Sequence, residues 1–237
     1  MKSLSIVLAA YNEAENIEAM ILDVIQTVEN LTNDYEVVVV NDGSADATAQ
    51  IVKTVMNNYP RVCLIEHEIN QGYGAAVFNG LVNACKDFIF FTDSDRQFDL
   101  TEISKLLDLS DDADLVIGYR APRRDPFMRK MNAWGWNSLI TICFGYTARD
   151  VDCAFKLMRK EVVDYLKDKV ASRGATFSAE FLVRARRGGF AIKEVAINGH
   201  RPRIAGSPTG ARPDVILRAF KELLSFRMAL WKESGEG

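Results

Sequence analysis

The chain has 237 residues, 48% of them hydrophobic and 26% charged, a globular composition with material for one large core and little for a second. Its formal net charge of −3 hides an asymmetry: residues 1–115 carry 6 basic and 20 acidic side chains, residues 116–237 carry 23 and 12, so the second half favours an anionic partner. The basic residues neither follow a helix-turn-helix nor interleave with aromatics as on an RNA-binding sheet, which argues against nucleic acid and for a lipid or phosphate anion.

In chain order, Leu4 to Ala10 reads as a strand buried on both faces, followed by a helix from about Ala14 to Leu31 with Ile17, Ile21, Leu22 and Ile25 at helical spacing. The first apolar run is too short for a signal peptide and passes straight into Tyr11-Asn12-Glu13. Val37 to Val40 is an uninterrupted β-branched run, and Asn41-Asp42-Gly43-Ser44 turns the chain into a helix from Ala45 to Asn58. A third strand (Val62 to Glu66), a helix opening near Gly72-Tyr73-Gly74 and a fourth strand (Phe88 to Thr92) repeat the alternation. Leu115 to Gly118 reads as another strand, and the basic segment Arg120-Ala121-Pro122-Arg123-Arg124-Asp125-Pro126 as a mobile loop. Helices are expected at about Phe127–Phe144, Lys160–Leu166 and Phe177–Gly188, a strand at Ala191–Ile197 and a last helix from about Pro213 to Trp231. The apolar stretch around Trp134 to Tyr146 falls short of the roughly 18 to 20 residues a spanning helix needs. A cytoplasmic protein is therefore expected, at most peripheral on the cytoplasmic membrane face. Apolar strands alternating with amphipathic helices predict an α/β fold, a parallel sheet with helices on both faces. The expected organisation is one domain over 1–210 with an amphipathic helix and tail over 211–237.

Cys63, Cys85, Cys143 and Cys153 lack CxxC spacing and have apolar neighbours in sequence, which predicts core residues in a reducing compartment without disulfides or zinc. The two histidines, His67 and His200, lack a paired-ligand spacing, and His67 is expected to be an ordinary structural residue.

Open α/β sheets bind ligands at the carboxyl edge of their strands, where Tyr11, Glu13, Asp42, Asp93 and Asp95 fall. Asp93-Ser94-Asp95 places two carboxylates on a tight turn, with Gln97 two positions beyond. Such hard oxygen donors suit Mg²⁺ or Mn²⁺ bridging a diphosphate; the same turn would also serve as an acidic cap for a helix beginning near Leu100. Asn41-Asp42-Gly43-Ser44 likewise fits a capped helix start. Gly72-Tyr73-Gly74 has neither the dinucleotide fingerprint nor the P-loop spacing, and reads as a close helix start. Arg120, Arg124 and Arg129 have the fork geometry to clamp a phosphate, although Arg123 and Arg124 also suit a solvated loop.

Ala10-Tyr11-Asn12-Glu13, Val40-Asn41-Asp42-Gly43-Ser44, Asn70-Gln71-Gly72-Tyr73-Gly74 and Asp93-Ser94-Asp95-Arg96-Gln97, in this order and spacing, resemble the family-two glycosyltransferases of GT-A fold. The later Gly118-Tyr119-Arg120 and Asp152-Cys153-Ala154-Phe155-Lys156 resemble the branch that transfers mannose or glucose to polyprenol (dolichyl) phosphate. The resemblance implies a Rossmann-like, mostly parallel sheet and inverting, metal-dependent transfer of a hexose from a nucleoside diphosphate sugar, GDP-mannose or UDP-glucose, to a polyprenyl monophosphate. A saccharide hydroxyl acceptor and a nucleotide-sugar-binding protein without catalysis are the alternatives. A sugar nucleotidylyltransferase would carry a Gly-rich basic signature where this chain has Ala10-Tyr11-Asn12-Glu13.

The resemblance also implies roles. Ala9, Tyr11, Glu13, Asp42, Asp93 and Ser94 would hold the nucleotide, with Asp42 accepting from a ring N–H of uracil or guanine. Asp95 would be the main metal ligand, supported by Asp93 and Gln97, and Asp95, Asp152 and Arg120 would form the catalytic set. Arg120, Arg124, Arg129, His200 and Arg203 would contact phosphate. Asp152 would be the general base toward a hydroxyl acceptor; toward a lipid phosphate, already largely ionised with a second pKa near 6, it would orient or balance charge. Glu180 matches a position near the acceptor loop, and Arg201 to Ser207 resembles a segment that closes over the diphosphate, with Gly206 to Gly210 letting it move. The chain departs from the pattern at Ala9, where a proline commonly stands, and at Ser207-Pro208, where Ser-Lys is common. The last helix sets Ile216, Phe220, Leu223, Leu224 and Leu230 among Arg218, Lys221, Arg227 and Lys232, suiting an anionic membrane surface, its own domain or a homo-oligomer contact, with a separate membrane anchor left open.

Overall fold

The computed structural model describes residues 2–122, 127–201 and 213–235, without the side chains at 127–129, 213–217 and 234–235. Among them, strands β1 (Leu4–Ala10), β2 (Tyr35–Asn41), β3 (Val62–Glu66), β4 (Phe88–Asp93), β5 (Leu115–Arg120), β6 (Phe155–Arg159) and β7 (Ile192–Ile197) form one sheet in the order β3-β2-β1-β4-β6-β5-β7. Helices α1 (Ile17–Glu29), α2 (Thr48–Asn58), α3 (Tyr73–Asn83), α4 (Ile103–Leu109), α5 (Phe127–Phe144), α6 (Lys160–Leu166), α7 (Phe177–Arg187) and α8 (Pro213–Gly235) flank it, with a 3₁₀ turn at Leu100–Glu102.

The valine run of β2 shows why its strands do not alternate in polarity. Val37 and Val39 join the core layer under α1, while Val38 and Val40 join the layer under α3, and all four are buried. Both faces are covered, so both need apolar side chains. On the second face α3 lies close to the sheet: a Cβ on Gly80 would sit 2.4 Å from Val7 Cγ1.

The sheet corrects one expectation. β6 runs antiparallel to both β4 and β5 and separates them, pairing Lys156 with Phe91 on one side and Ile117 on the other. Its five residues, with a lysine and an arginine among them, give no strand periodicity of their own, and pairing on both sides makes the strand. Helices α1 and α2 also start later than expected, at Ile17 and Thr48. The residues before them tie two loops together: Asn12 N donates to Ser44 Oγ (2.9 Å), Ala45 N to Asn12 Oδ1 (2.9 Å), Glu13 N to Thr48 Oγ1 (2.9 Å) and Ala14 N to Asp46 Oδ2 (3.1 Å). The cysteine expectation is corrected too. Only Cys153 is buried, while Cys63 on edge strand β3 and Cys85 beyond α3 are exposed and Cys143 is half-buried.

Helix α8 packs on the domain through Leu223, Phe226 and Leu230. Phe226 stacks on Phe144 of α5 at 4.8 Å, Thr176 Oγ1 donates to Ala219 O (3.0 Å) and the Arg184 guanidinium forks onto Glu233 (3.0 and 3.1 Å). Its other face carries exposed Phe220, Leu224, Met228 and Trp231. No helix of the described residues is long and apolar enough to cross a membrane.

Candidate active site

β1 and β4 are parallel neighbours with Ala9 opposite Asp93, so the two chains leave the sheet side by side. Each then turns sharply, through Asn12 (φ 55°) and Arg96 (φ 59°). Ser94 Oγ donates to Ala9 O (2.8 Å), fixing one turn to the other. Asp95 is buried and accepts from Gln97 N (3.1 Å). Asp93 accepts from the Tyr73 hydroxyl (3.1 Å), and burial together with the charge of Asp95 raises its carboxyl to about 7. Tyr73, at the start of α3, is itself pushed well above the ordinary phenol range by burial and by Asp93.

The acidic turn does not serve as the cap for the next helix. That duty falls to Asp99, whose carboxylate accepts from Thr101 N (3.1 Å) and Oγ1 (2.7 Å). Gln97 donates its amide Nε2 to Arg201 O (2.9 Å) while Arg201 N donates to Gln97 O (2.7 Å), which straps residues 200–201 beside the turn. His200 is buried there, edge-on to Phe98 at 5.1 Å.

At the end of β2, Asp42 is 2% exposed. Its carboxylate accepts from Gln71 N (2.9 Å), Gly72 N (3.0 Å) and the His67 ring at 2.7 Å. It thus braces the loop that opens α3, where Gly72 has φ 102° and its α-carbon faces Arg173 O so closely that a Cβ would lie 2.8 Å from it. Only glycine fits that turn. Glu13 is buried and accepts from Asn16 Nδ2 (2.7 Å), while Tyr11 is exposed and offers a ring face beside them.

The opposite wall comes from β5 and β6. Arg120 forks onto Asp150 through Nε and a terminal nitrogen, both at 2.7 Å. Asp152 is raised to about 6 by its surroundings, with Asp150 adding to the rise and Lys156 and Arg120 opposing it. The residue keeps solvent contact, so the shift grows when a ligand displaces that water. The Trp136 indole of α5 donates to Asp152, and Trp136 also packs edge-on against Phe220 of α8 at 6.2 Å. Lys156 is buried, donates to Cys153 O, and is lowered by burial with Cys153, Asp152, Asp150 and Asp93 opposing the fall.

The structure therefore brings Ala9, Asp93, Ser94, Asp95, Gln97, Arg120 and Asp152 around one cleft, with Tyr11, Glu13 and Asp42 at its nucleoside end. Arg124 and Arg203 lie outside the described residues, as does the side chain of Arg129. Glu180 is corrected: it is buried, accepts from Ala171 N (3.2 Å) and Ser172 N (2.8 Å), and pairs with Arg184 (2.8 Å), a structural arrangement. Three residues escaped the sequence reading. Tyr73 sat within a glycine-rich stretch read only for its backbone, Asp150 lay two positions before the aspartate that drew attention, and Lys156 is placed by a strand that was not expected. His67, expected to be unremarkable, is a direct partner of Asp42.

Asp93 and Asp95 fit a divalent ion by their chemistry, since two desolvated carboxylates that raise one another's proton affinity gain most from a cation between them. Among the described residues no three acidic, cysteine or histidine side chains gather to hold an ion alone. Ligand oxygens and water would complete the shell, the usual situation for Mg²⁺ at phosphates.

Residues 5–166 match the model of glycosyl transferase family 2. The chain belongs to that family. A dolichyl-phosphate beta-glucosyltransferase of Trichomonas vaginalis is 30% identical over 85% of this chain and 68% of its own length. The Saccharomyces cerevisiae dolichyl-phosphate beta-glucosyltransferase is 28% identical over 95% of this chain and 74% of its own. Among solved structures, Mycobacterium tuberculosis glucosyl-3-phosphoglycerate synthase in complex with Mn²⁺, UDP and glucosyl-3-phosphoglycerate superimposes with a TM-score of 0.71, at 19% identity, over 95% of this chain and 80% of that one. The fold of this family member is the GT-A glycosyltransferase fold, its mixed sheet carrying the antiparallel β6 between two parallel blocks.

Proposed function

We propose that this glycosyltransferase moves glucose from UDP-glucose, with inversion and with a divalent ion, to the phosphate of a polyprenyl monophosphate. The observation that carries the reading is the pairing of two unlike walls across one cleft: Asp93 and Asp95 on one side, and on the other Arg120, Asp152 and Lys156 beside Trp136. The names of the relatives support the acceptor class, and UDP in the structural neighbours supports the donor. Trp136 touches both Asp152 and α8, so the acceptor wall continues into the apolar surface of α5 and α8, where Trp134 is 73% and Trp231 75% exposed. An isoprenoid tail needs such a surface, and Arg227 and Lys232 suit peripheral contact with an anionic bilayer.

In the reaction an acceptor phosphate oxygen bonds to the anomeric carbon as that carbon's bond to the diphosphate oxygen breaks, and UDP departs with the electron pair. Asp93 and Asp95 would hold Mg²⁺ or Mn²⁺, which when bound neutralises charge on the leaving diphosphate. Asp42, Glu13 and Tyr11 bind the nucleoside, Ala9 and Ser94 shape the turn beneath it, and Gln97 keeps the His200–Arg201 strand end beside the diphosphate. Asp152 balances charge at the acceptor. A second reading, transfer to a saccharide hydroxyl, is favoured by one observation, because a carboxyl near 6 suits a general base.

Radiolabelled UDP-glucose and GDP-mannose, each with polyprenyl phosphate and Mn²⁺, separate these readings. Label from UDP-glucose entering the organic phase, and abolished by EDTA, is the expected result. Label from GDP-mannose alone would replace the donor, and UDP release without lipid product would move the acceptor to a hydroxyl.

A further inference from the structure

The Asp42 carboxylate ends a hydrogen-bond chain whose direction is set by a backbone carbonyl. Asn83 Nδ2 lies 2.9 Å from Asn79 O, a group that only accepts, so that end of the Asn83 amide is its nitrogen. The same nitrogen lies 2.7 Å from Asn79 Oδ1, which leaves Asn79 Nδ2 to face His67 Nε2 at 2.8 Å. A ring nitrogen that accepts carries no proton, so the proton of His67 is on Nδ1, 2.7 Å from Asp42 Oδ1. Every donor from α3 onward points at Asp42, and the His67 and Asp42 side chains are only 5% and 3% exposed.

Asp42 Oδ1 also accepts from Gln71 N (2.9 Å), which uses both its lone pairs. Oδ2 accepts from Gly72 N (3.0 Å) and keeps one acceptor direction among the described residues. We infer that the Asn83–Asn79–His67 chain selects the base of the nucleotide donor by fixing Asp42 as a one-sided acceptor. The inference rests on the reading that Asp42 faces the donor's base. A base edge that presents an N–H, the imide of uracil or N1–H of guanine, meets that oxygen with a donor. Cytosine, with a lone pair at the equivalent ring nitrogen, meets it with a second acceptor. His67 cannot turn to offer a different group without unpairing Asn79, so the preference is built into the buried chain. His67 and Asn79 are positioning residues, acting through Asp42.

Titration calorimetry with UDP, GDP and CDP at saturating Mn²⁺ tests the idea, because the diphosphate and metal contributions are common to all three. The wild-type protein is expected to prefer UDP or GDP over CDP by at least about tenfold, one charge-assisted hydrogen bond's worth of discrimination. His67→Ala and Asn79→Leu are expected to bring that preference to within about threefold, raise KM for the sugar donor and leave kcat within about twofold. His67→Gln, which keeps an amide able to donate to Asp42, should recover part of the preference. Variants that retain the wild-type nucleotide ratio, with or without a lower Tm, would overturn the inference, since a purely structural role changes Tm and not the ratio. A wild-type protein indifferent to CDP also overturns it. One that binds no nucleoside diphosphate at all removes the glycosyltransferase reading of Asp42 and this inference with it.

Discussion

The two ends of the sheet hold their polar groups in different ways. Along β3-β2-β1-β4 the strands are parallel, and the strand-end carboxylates are held by backbone N–H groups and uncharged side chains: Asp42 by Gln71, Gly72 and His67, Asp93 by Tyr73, Asp95 by Gln97 N. Along β6-β5-β7 the acids meet cations, Asp150 on Arg120 and Asp152 beside Lys156. The first region is left with negative charge to be neutralised by an incoming cation, and the second is internally compensated. The division of the sequence into an acidic and a basic half is thus also a division of the cleft into a metal-and-nucleotide wall and an acceptor wall.

Breaking the first wall should have the largest effect. Asp95→Ala is expected to lower transfer by roughly three orders of magnitude, the scale of losing a preorganised charge group at the reacting centre, with Tm within a few degrees of wild type. Steady-state kinetics beside a thermal melt checks it; near-normal transfer would remove Asp95 from the metal site.

Breaking the second wall should cost fold and acceptor together. Asp150→Asn leaves the buried Arg120 guanidinium without its charged partner, which costs about 3 kcal/mol of stability in chemical denaturation. KM for the lipid acceptor should rise while donor affinity holds. A variant with unchanged acceptor KM would make the pair purely structural. Glu180→Gln sharpens the contrast, because Glu180 holds the 171–172 backbone away from the chemistry: stability falls by about 2 kcal/mol with both KM values unmoved.

Proton linkage distinguishes the walls more gently. Asp93 is raised from 3.8 to about 7, so between those values the folded, metal-free protein holds a proton that the unfolded chain has lost. Stability from this group is therefore greatest at low pH and falls as pH rises through that window. Metal binding displaces the same proton, so the Tm gain on adding Mn²⁺ should be several degrees larger at about pH 8 than at about pH 6. An equal gain at both would show that Asp93 does not share the ion.

Much of the first wall was legible in sequence. Uninterrupted apolar runs such as Val37 to Val40 announce strands buried on two faces, and the acids directly after them fall at the ligand edge. The second wall was not, because β6 has no pattern of its own, and Asp150, Lys156 and Trp136 become neighbours only through its pairing with β4 and β5. His67 escaped for a related reason: a lone histidine gains meaning from Asn79 and Asp42, which lie on a helix and a strand end distant in sequence. The starts of α1 and α2 were misplaced by three residues because short polar side chains there bond across to the facing loop rather than continuing the helix.

The separation of the walls is tested most directly by titrating UDP with Mn²⁺, and polyprenyl phosphate alone, against wild type, Asp95→Ala and Asp150→Asn. The expected result is a crossed pattern, with metal-dependent UDP affinity lost only in Asp95→Ala and polyprenyl phosphate affinity weakened only in Asp150→Asn. Undiminished metal-dependent UDP binding by Asp95→Ala, or loss of both ligands in both folded variants, would contradict the account.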